Sequence, residues 1–341
     1  MSPTLGVIVV AYGSADDLPA TLGALAPQLG AGDQVVVVDN ASPDDSARVA
    51  REVLPDAIVI ETGVNGGFAG GTMVGARAVA GCDLLLFLNP DAVPTAGCLD
   101  ALRAAAGEHP TWGAWQALVA LPGGQEVNTA GNLVHFLGFG WAGGHGTATA
   151  TLDPAPRAVG FASGAALVVR REAWERTGGF FERYFMYGED LDLGLRLRLA
   201  GWESGVVPAA RVDHDYEFAK GDYKWFHLER NRWWTLTGDY PTRLLVLLAP
   251  ALLAFELALL PVAARDGWLK AKLRAQWAGL RELPAMRRRR RQVQATARVD
   301  ARTFAAGLTA SLDSPFLATA HAIPGAEWLV GSYWRLVLAL L

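Results

Sequence analysis

Gln34–Ser42 reads QVVVVDNAS: four consecutive valines, then an acid, an amide and a hydroxyl. An unbroken run of β-branched residues marks a strand covered on both faces, because a half-exposed strand would carry a polar residue at every second position. The abrupt change at Asp39 marks the strand's carboxyl end. Working outward, the pattern repeats. LGVIVVA (Leu5–Ala11) precedes it, and AIVIE (Ala57–Glu61) and DLLLFLN (Asp83–Asn89) follow. Between these runs lie stretches around Asp16–Leu29, Asp44–Leu54 and Phe68–Ala80 that read as helices. Strands alternating with helices predict a parallel sheet in a Rossmann-like, nucleotide-binding α/β architecture. In such sheets a ligand lies beyond the carboxyl ends of the strands.

Those ends are polar or glycine-rich: Ala11-Tyr12-Gly13, Asp39-Asn40-Ala41-Ser42, the loop Asn65-Gly66-Gly67-Phe68-Ala69-Gly70-Gly71, and Asn89-Pro90-Asp91. Each has a plain alternative. The second reads equally as a turn with a helix cap, and the fourth as a Pro-Asp turn. The glycine loop has neither the G-x-G-x-x-G spacing of dinucleotide folds nor the G-K-[ST] of P-loops, which disfavours an oxidoreductase. Their placement at successive strand ends favours one cleft.

A second decisive stretch is Gly178–Trp202, GGFFERYFMYGEDLDLGLRLRLAGW. An aromatic loop leads into a helix beginning near Glu189, Asp190 and Asp192, since carboxylates are favourable in a first helical turn. Asp192 and Arg196, four apart, pair on one face. That leaves Glu189 and Asp190 free at the helix mouth, either as caps or as groups that do chemistry. Between Trp112 and Val159 the pattern loosens, and Trp115, His135, Phe136, Phe139 and Trp141 read as an acceptor pocket or a satellite aromatic core.

The 341 residues suffice for one large or two ordinary domains, and 51% are hydrophobic. Mean hydropathy is +0.20, high for a wholly soluble enzyme. The net charge of −4 conceals an asymmetry: Arg265–Arg302 holds 12 Lys/Arg against 3 Asp/Glu, so the rest of the chain carries −13. The two cysteines, Cys82 and Cys98, have no metal-type spacing and point to a reducing compartment. The first apolar run is too short for a secretory leader, so the catalytic part is expected in the cytoplasm.

VVVVDNASPDDS, NGGFAGG, LLLFLNPDAVP and the run from Ser163 to Trp202, in this order, resemble the family 2 glycosyltransferases of GT-A fold, particularly rhamnosyltransferase-like members. The resemblance covers about the first 240 residues and implies an inverting transfer of a sugar from a nucleotide-diphosphate donor. By position, it implies that Asp39 reads the base with Tyr12 beside it. Asn65, Gly67, Phe68, Gly71 and Asn89 line the donor site. Asp91 holds a divalent cation, Mg or Mn, on the diphosphate, and His214 adds a metal or diphosphate contact or is merely structural. Asp190 is the general base, and Glu189 orients the acceptor hydroxyl and raises its neighbour's pKa. Two departures stand out: Gly13 where these enzymes often have Asn after the Tyr, and Met73 where an Asn usually continues the glycine loop.

Residues 1–240 therefore read as the catalytic domain and 241–341 as a helical C-terminal region that is membrane-associated or oligomerising. Arg230 and Arg232, in an ERNR stretch the rhamnosyltransferase-like group shares, are candidates for phosphates of the donor or of a lipid-linked acceptor, or for packing. Leu244–Leu260 is apolar but short of the roughly 20 residues a crossing needs, and Pro250 predicts a bend into a re-entrant or interfacial hairpin. Basic and Trp residues follow, including Arg287–Arg291, suited to a lipid headgroup layer. The apolar run Trp328–Leu341 suits the interface or a homodimer. The expected partners are a dTDP- or UDP-type sugar donor, a glycan or polyprenyl-linked acceptor and the cytoplasmic membrane face, with peripheral or monotopic attachment. Nucleic acid is not expected. The rival readings are a non-catalytic nucleotide-sugar-binding or membrane scaffold protein and, less favoured, an NAD-binding oxidoreductase.

Overall fold

The computed structural model describes residues 2–215, 221–312 and 324–341. Contacts divide the chain into two compact units. The first comprises the chain up to Asn132, Ala142–Leu197 and the stretch from Trp202; the second comprises Leu133–Trp141, Arg198–Gly201 and the remainder.

The first unit is built on one mixed sheet. Its strands are β1 (Leu5–Ala11), β2 (Gln34–Asp39), β3 (Ile58–Glu61), β4 (Leu84–Leu88), β5 (Ala92–Pro94), β6 (Trp112–Ala120), β7 (Val127–Thr129), β10 (Arg157–Val159), β11 (Ala166–Arg170) and β12 (Glu203–His214); β8 (Asn132–Val134) and β9 (Gly140–Ala142), which fall mostly in the second unit's Leu133–Trp141, pair with each other. The main order is β10-β12-β6-β11-β4-β1-β2-β3. The four strands read from the valine runs pair in parallel, as expected. After the aromatic stretch the chain adds β11, a core strand that runs antiparallel between β4 and β6.

Helices α1 (Leu18–Leu25), α2 (Ser46–Val53), α3 (Gly67–Ala78), α4 (Cys98–Glu108), α5 (Arg171–Thr177) and α6 (Glu189–Leu199) complete the unit. Val7, Val9, Val35, Val37, Leu86 and Leu88 join Leu18, Leu22, Leu99 and Leu102 in the main core on one face. The alternate residues are covered as well: Gly75 of α3 lies against Ile8 and Val38, and Phe87 packs on Trp174 and Phe180. Burial on both faces is the physical reason the strands carry no polar alternation. Cys82 and Cys98 are buried and unbridged, and burial pushes the Cys98 thiol up to about 12.

The second unit is helical: α7 (Gly221–Asp239), α8 (Thr242–Arg265), α9 (Leu269–Arg281), α10 (Leu283–Ala295), α11 (Ala301–Ala305) and α12 (Ala326–Leu340). The hairpin expected at Pro250 is not formed: α8 runs unbroken for 24 residues with Pro250 and Pro261 inside it. An internal proline costs about 3 kcal/mol or more. Leu248 and Leu252, buried on either side of Pro250 in line with Leu244, keep both halves on one packing face.

The mixed aromatic segment supplies this unit's core. His135 stacks on Phe136 and Phe139 at 4.4 and 4.7 Å, Phe136 stacks on Trp334, and Phe139 meets Phe255. Burial holds the His135 ring neutral, its pKa pushed down to about 3. The satellite-core reading holds for His135, Phe136, Phe139 and Trp141, whereas Trp115 lies in the main core of the first unit.

Candidate active site

The carboxyl ends of β1, β2 and β4 bring Tyr12, Asp39, Asn89 and Asp91 to one edge of the sheet. Tyr12 is 55% exposed there, while Asp39 is buried and accepts the Ser42 amide at 3.4 Å. The Ser42 hydroxyl in turn accepts the Gly13 amide at 3.2 Å, tying the first two strand ends together.

The glycine loop is held by a residue that the sequence showed only as a turn former. Asn40 accepts the Gly66 amide at 3.0 Å and donates to Asn65 Oδ1 at 3.1 Å and to the Gly67 carbonyl at 3.0 Å. An Asx at a strand end reads the same whether it caps a helix or clamps a distant loop, so no local signal distinguishes them. Asn40→Asp replaces the donating amide with a carboxylate facing two acceptors. It is expected to weaken nucleotide binding by roughly tenfold, about 1.4 kcal/mol, measurable by calorimetry.

Gly67 adopts φ +70°, and a side chain there would meet the Phe185 carbonyl at 2.2 Å. That carbonyl accepts the Ala69 amide at 3.1 Å, so the aromatic loop before the acids lies directly on the start of α3. Gly71 faces Val10 of the sheet, a packing position that lets α3 approach β1. A side chain at Gly164 would meet the Phe68 ring at 3.3 Å.

Gly164 leads to the acids. Asp190 Oδ2 accepts the Gly164 amide at 3.1 Å, and Oδ1 accepts the amide of Leu191 at 2.8 Å. Asp192 and Arg196 pair as expected, at 2.6 Å and fully buried, and the Tyr184 hydroxyl donates to the other oxygen of Asp192 at 2.7 Å. The expectation that Glu189 and Asp190 stand free at the mouth needs correction. Asp190 is only partly accessible, and Glu189 is 7% exposed with Oε2 lacking any hydrogen-bond partner.

Burial first, and Asp190 second, push the Glu189 carboxyl well above the usual carboxylate range; burial also raises Asp190, against the pull of its two backbone amides. A group whose folded pKa exceeds its unfolded one stabilises the fold while protonated, and that contribution is lost as pH rises through the folded value. Glu189→Gln is therefore expected to be more stable than wild type at pH 8. The difference is expected to narrow as pH falls toward the ordinary carboxylate range, where the unfolded chain also takes up the proton; urea melts at pH 8 and pH 4 read this out.

Across the same wall, the antiparallel pairing of β5 with β12 sets His214 opposite Ala92. His214 Nε2 then lies 3.2 Å from Asp91 Oδ1 and 3.3 Å from Asn89 Nδ2. Burial first and Asp91 second raise the carboxyl of Asp17, with Asp16, Asp215 and Asp44 adding to it, so this corner has a surplus of negative charge. Asp91 and His214 offer one oxygen and one nitrogen donor. Among the described residues no group of three His, Cys, Asp or Glu could hold a metal alone. A two-donor corner in a negative field fits a cation that takes its remaining ligands from phosphates.

A family model described as glycosyltransferase like family 2 matches residues 3–236. The chain belongs to that family. The L-rhamnosyltransferase of Mycobacterium tuberculosis (strain ATCC 25618 / H37Rv) named for N-acetylglucosaminyl-diphospho-decaprenol is 34% identical over 245 residues, 65% of this chain and 79% of the relative. Rhamnosyltransferase WbbL of Escherichia coli (strain K12) is 40% identical over 75 residues, 22% of this chain and 27% of the relative. Among solved structures, GalNAc-T7 with UDP, GalNAc and Mn2+ aligns at a TM-score of 0.57 and 15% identity, over 69% of this chain and 47% of that one. The mannosyltransferase PcManGT of Pyrobaculum calidifontis with GDP-Man and Mn2+ aligns at 0.50 and 20% identity, over 87% and 86%. These likenesses give the GT-A fold.

In this glycosyltransferase, Gly13 takes φ +66°, a conformation that glycine and asparagine both reach, so Gly in place of Asn preserves the turn. Met73 lies on the α3 face turned to α5, where its sulfur approaches Gly179 and it lines a groove of about 290 Å3 with Arg77, Arg171 and Trp174. That departure falls at a helix-packing position. In the second unit, Arg230 donates to Asn231 and lies over the Phe226 ring. Arg232 is buried, with Glu229 and Glu256 meeting its charge and the Leu137 carbonyl accepting from it. Those partners account for Arg232 without a phosphate.

Proposed function

We propose that this glycosyltransferase carries out an inverting, metal-dependent transfer of a sugar, with L-rhamnose from dTDP as the leading donor and a UDP sugar as the runner-up, to a polyprenyl-diphosphate-linked saccharide at the cytoplasmic face of the membrane. Residues 1–240 act as the catalytic domain and 241–341 as the attachment region. The carrying observation is one continuous wall of hydrogen bonds: Asp190 to the Gly164 amide, the Ala165 carbonyl to the Asn89 amide, and the Asn89 side chain to His214 beside Asp91. A candidate base and a candidate diphosphate corner thus share one rigid frame. The names of the mycobacterial and E. coli relatives favour rhamnose and, in the first case, a polyprenyl diphosphate acceptor.

In this mechanism Asp190 takes the proton of the acceptor hydroxyl as its oxygen attacks the anomeric carbon from the face opposite the leaving group, and the nucleoside diphosphate departs. Its backbone amide partners keep the carboxylate oriented, and its raised pKa suits it to accept that proton. Glu189, buried beside Asp190, acts only through its electrostatic interaction with that neighbour. Asp91 and His214 would hold the cation, which when bound neutralises charge on the diphosphate. Asp39, with Tyr12 over the open edge, holds the nucleoside.

The test is transfer from dTDP-rhamnose, UDP-hexoses and GDP-mannose to synthetic polyprenyl-diphosphate N-acetylglucosamine, with Mn, Mg or chelator. The expected product has the anomeric configuration opposite to the donor's by NMR, and chelator abolishes it. Retained configuration, or unchanged turnover in chelator, would refute the reading.

A further inference from the structure

Helix α8 is, among the described residues, the one helix long and apolar enough to cross a membrane, with mean hydropathy 2.3 over its best window and 11% of that window buried. Its 24 residues extend about 36 Å, more than the roughly 30 Å of a hydrocarbon core. Length and composition favour a crossing. Its side chains argue otherwise.

Glu256 lies past the middle of α8 and is not exposed to the surroundings. It accepts from Lys272 at 2.6 Å and from Gln276 at 2.9 Å, both on α9, and pairs with Arg232 of α7. Lys272, fully buried, also donates to Glu229 of α7 at 2.6 Å. Two cations and two carboxylates thus join three helices with no net charge. Buried ions of this kind are stable only with their partners in place. The partners cannot follow α8 across a bilayer: α7 carries Lys224, Glu229, Arg230, Arg232 and Asp239, and α9 is 13 residues long with Lys270, Lys272, Arg274 and Arg281.

The outer sides are of a different kind. Val246, Leu253 and Leu257 of α8 are 60–68% exposed. On α9 the exposed positions are Lys270, Leu273, Arg274, Trp277, Leu280 and Arg281, spaced to form one stripe, and the helix contains no acid. Leu269, Lys270, Leu273, Arg274 and Trp277 line a shallow groove of about 450 Å3. An apolar and tryptophan-bearing stripe with cations interleaved complements a leaflet with anionic headgroups. A second copy of the chain would bring the same cations against themselves.

We propose that the outer sides of α8 and α9 form an in-plane docking surface for an anionic phospholipid leaflet, with α8 lying along the interface and both its ends on one side of the membrane. The proposal rests on the membrane-face part of the reading above. The catalytic part can fail without it, since neither measurement below requires sugar transfer.

Full-length Thr242→Cys and Arg265→Cys variants, whose native Cys82 and Cys98 are buried, would be reconstituted in sealed vesicles and treated with a membrane-impermeant maleimide. Both ends are expected to label from the same side. Labelling from opposite sides overturns the proposal. In co-sedimentation, wild type is expected to bind vesicles with about 30% phosphatidylglycerol at least tenfold better than neutral phosphatidylcholine ones, with the difference reduced by salt. Lys270→Glu/Arg274→Glu and Leu273→Ser/Trp277→Ser are each expected to lose about tenfold of that binding while keeping nucleotide affinity. Equal binding to both vesicle types overturns it. So does a dimer in solution that Leu273→Ser/Trp277→Ser converts to monomer with vesicle binding unchanged.

Discussion

Asp190→Asn is expected to lower turnover by about 10²–10⁴-fold while leaving the affinity for the donor nucleotide within about twofold. The substitution is nearly isosteric, and an asparagine oxygen still accepts one of the two amides, from Gly164 or Leu191, that the carboxylate now accepts. What it removes is the capacity to take a proton. The pH profile separates this from a structural effect. Burial raises the Asp190 pKa, so the group must lose its proton before it can act, and wild-type turnover should fall as pH drops through a value above the ordinary carboxylate range. In Asp190→Asn the residual activity should lose that acid limb. If Asp190 serves only to hold the start of α6, the variant would show lower thermal stability, near wild-type turnover and an unchanged profile.

The parts of the fold that were legible share one cause. Strands β1, β2 and β4 are covered on both faces, so Leu5–Ala11, Val35–Val38 and Leu84–Leu88 carry no polar side chain and the polar change at Asp39 or Asn89 is abrupt, whereas β3, at the edge of the sheet, was legible only from its β-branched run. Three-residue strands such as β5, β7 and β10 carry too few residues for any period, and β10 is half-exposed. The direction of β11 was hidden for another reason: a strand buried on both faces has the same composition whether it runs parallel or antiparallel to its neighbours. Within the site, Asp192 and Arg196 followed from helical spacing alone. The accessibility of Glu189 did not, because it depends on the aromatic loop folding back against Gly67, a contact made across more than a hundred residues. Glu256 is the clearest case. In the sequence it is a blemish in an apolar run; with Lys272 and Arg232 beside it, it is the residue that fixes how α8 lies.

The convergence of Asp91 with His214 also needed the register of β5 on β12, and it carries the second large effect. Asp91→Ala is expected to reduce turnover by at least about 10²-fold, comparable to removing one group that stabilises developing charge, and to make nucleotide binding insensitive to Mn. In wild type, titration of the nucleoside diphosphate by calorimetry should weaken when chelator is added. In Asp91→Ala it should start weak and stay unchanged by chelator or by added Mn. His214→Gln, which retains a polar group near Asn89 and Asp91, should give an intermediate loss with Mn dependence shifted to higher concentration. The competing account is that Asp91 and His214 simply pair across two strands. A pair with Asp91 one-third exposed stabilises little, so that account predicts a small change in melting and no change in the response to metal. A nucleotide affinity that rises with Mn in Asp91→Ala as steeply as in wild type would remove Asp91 from the metal corner, whatever the fate of Asp190.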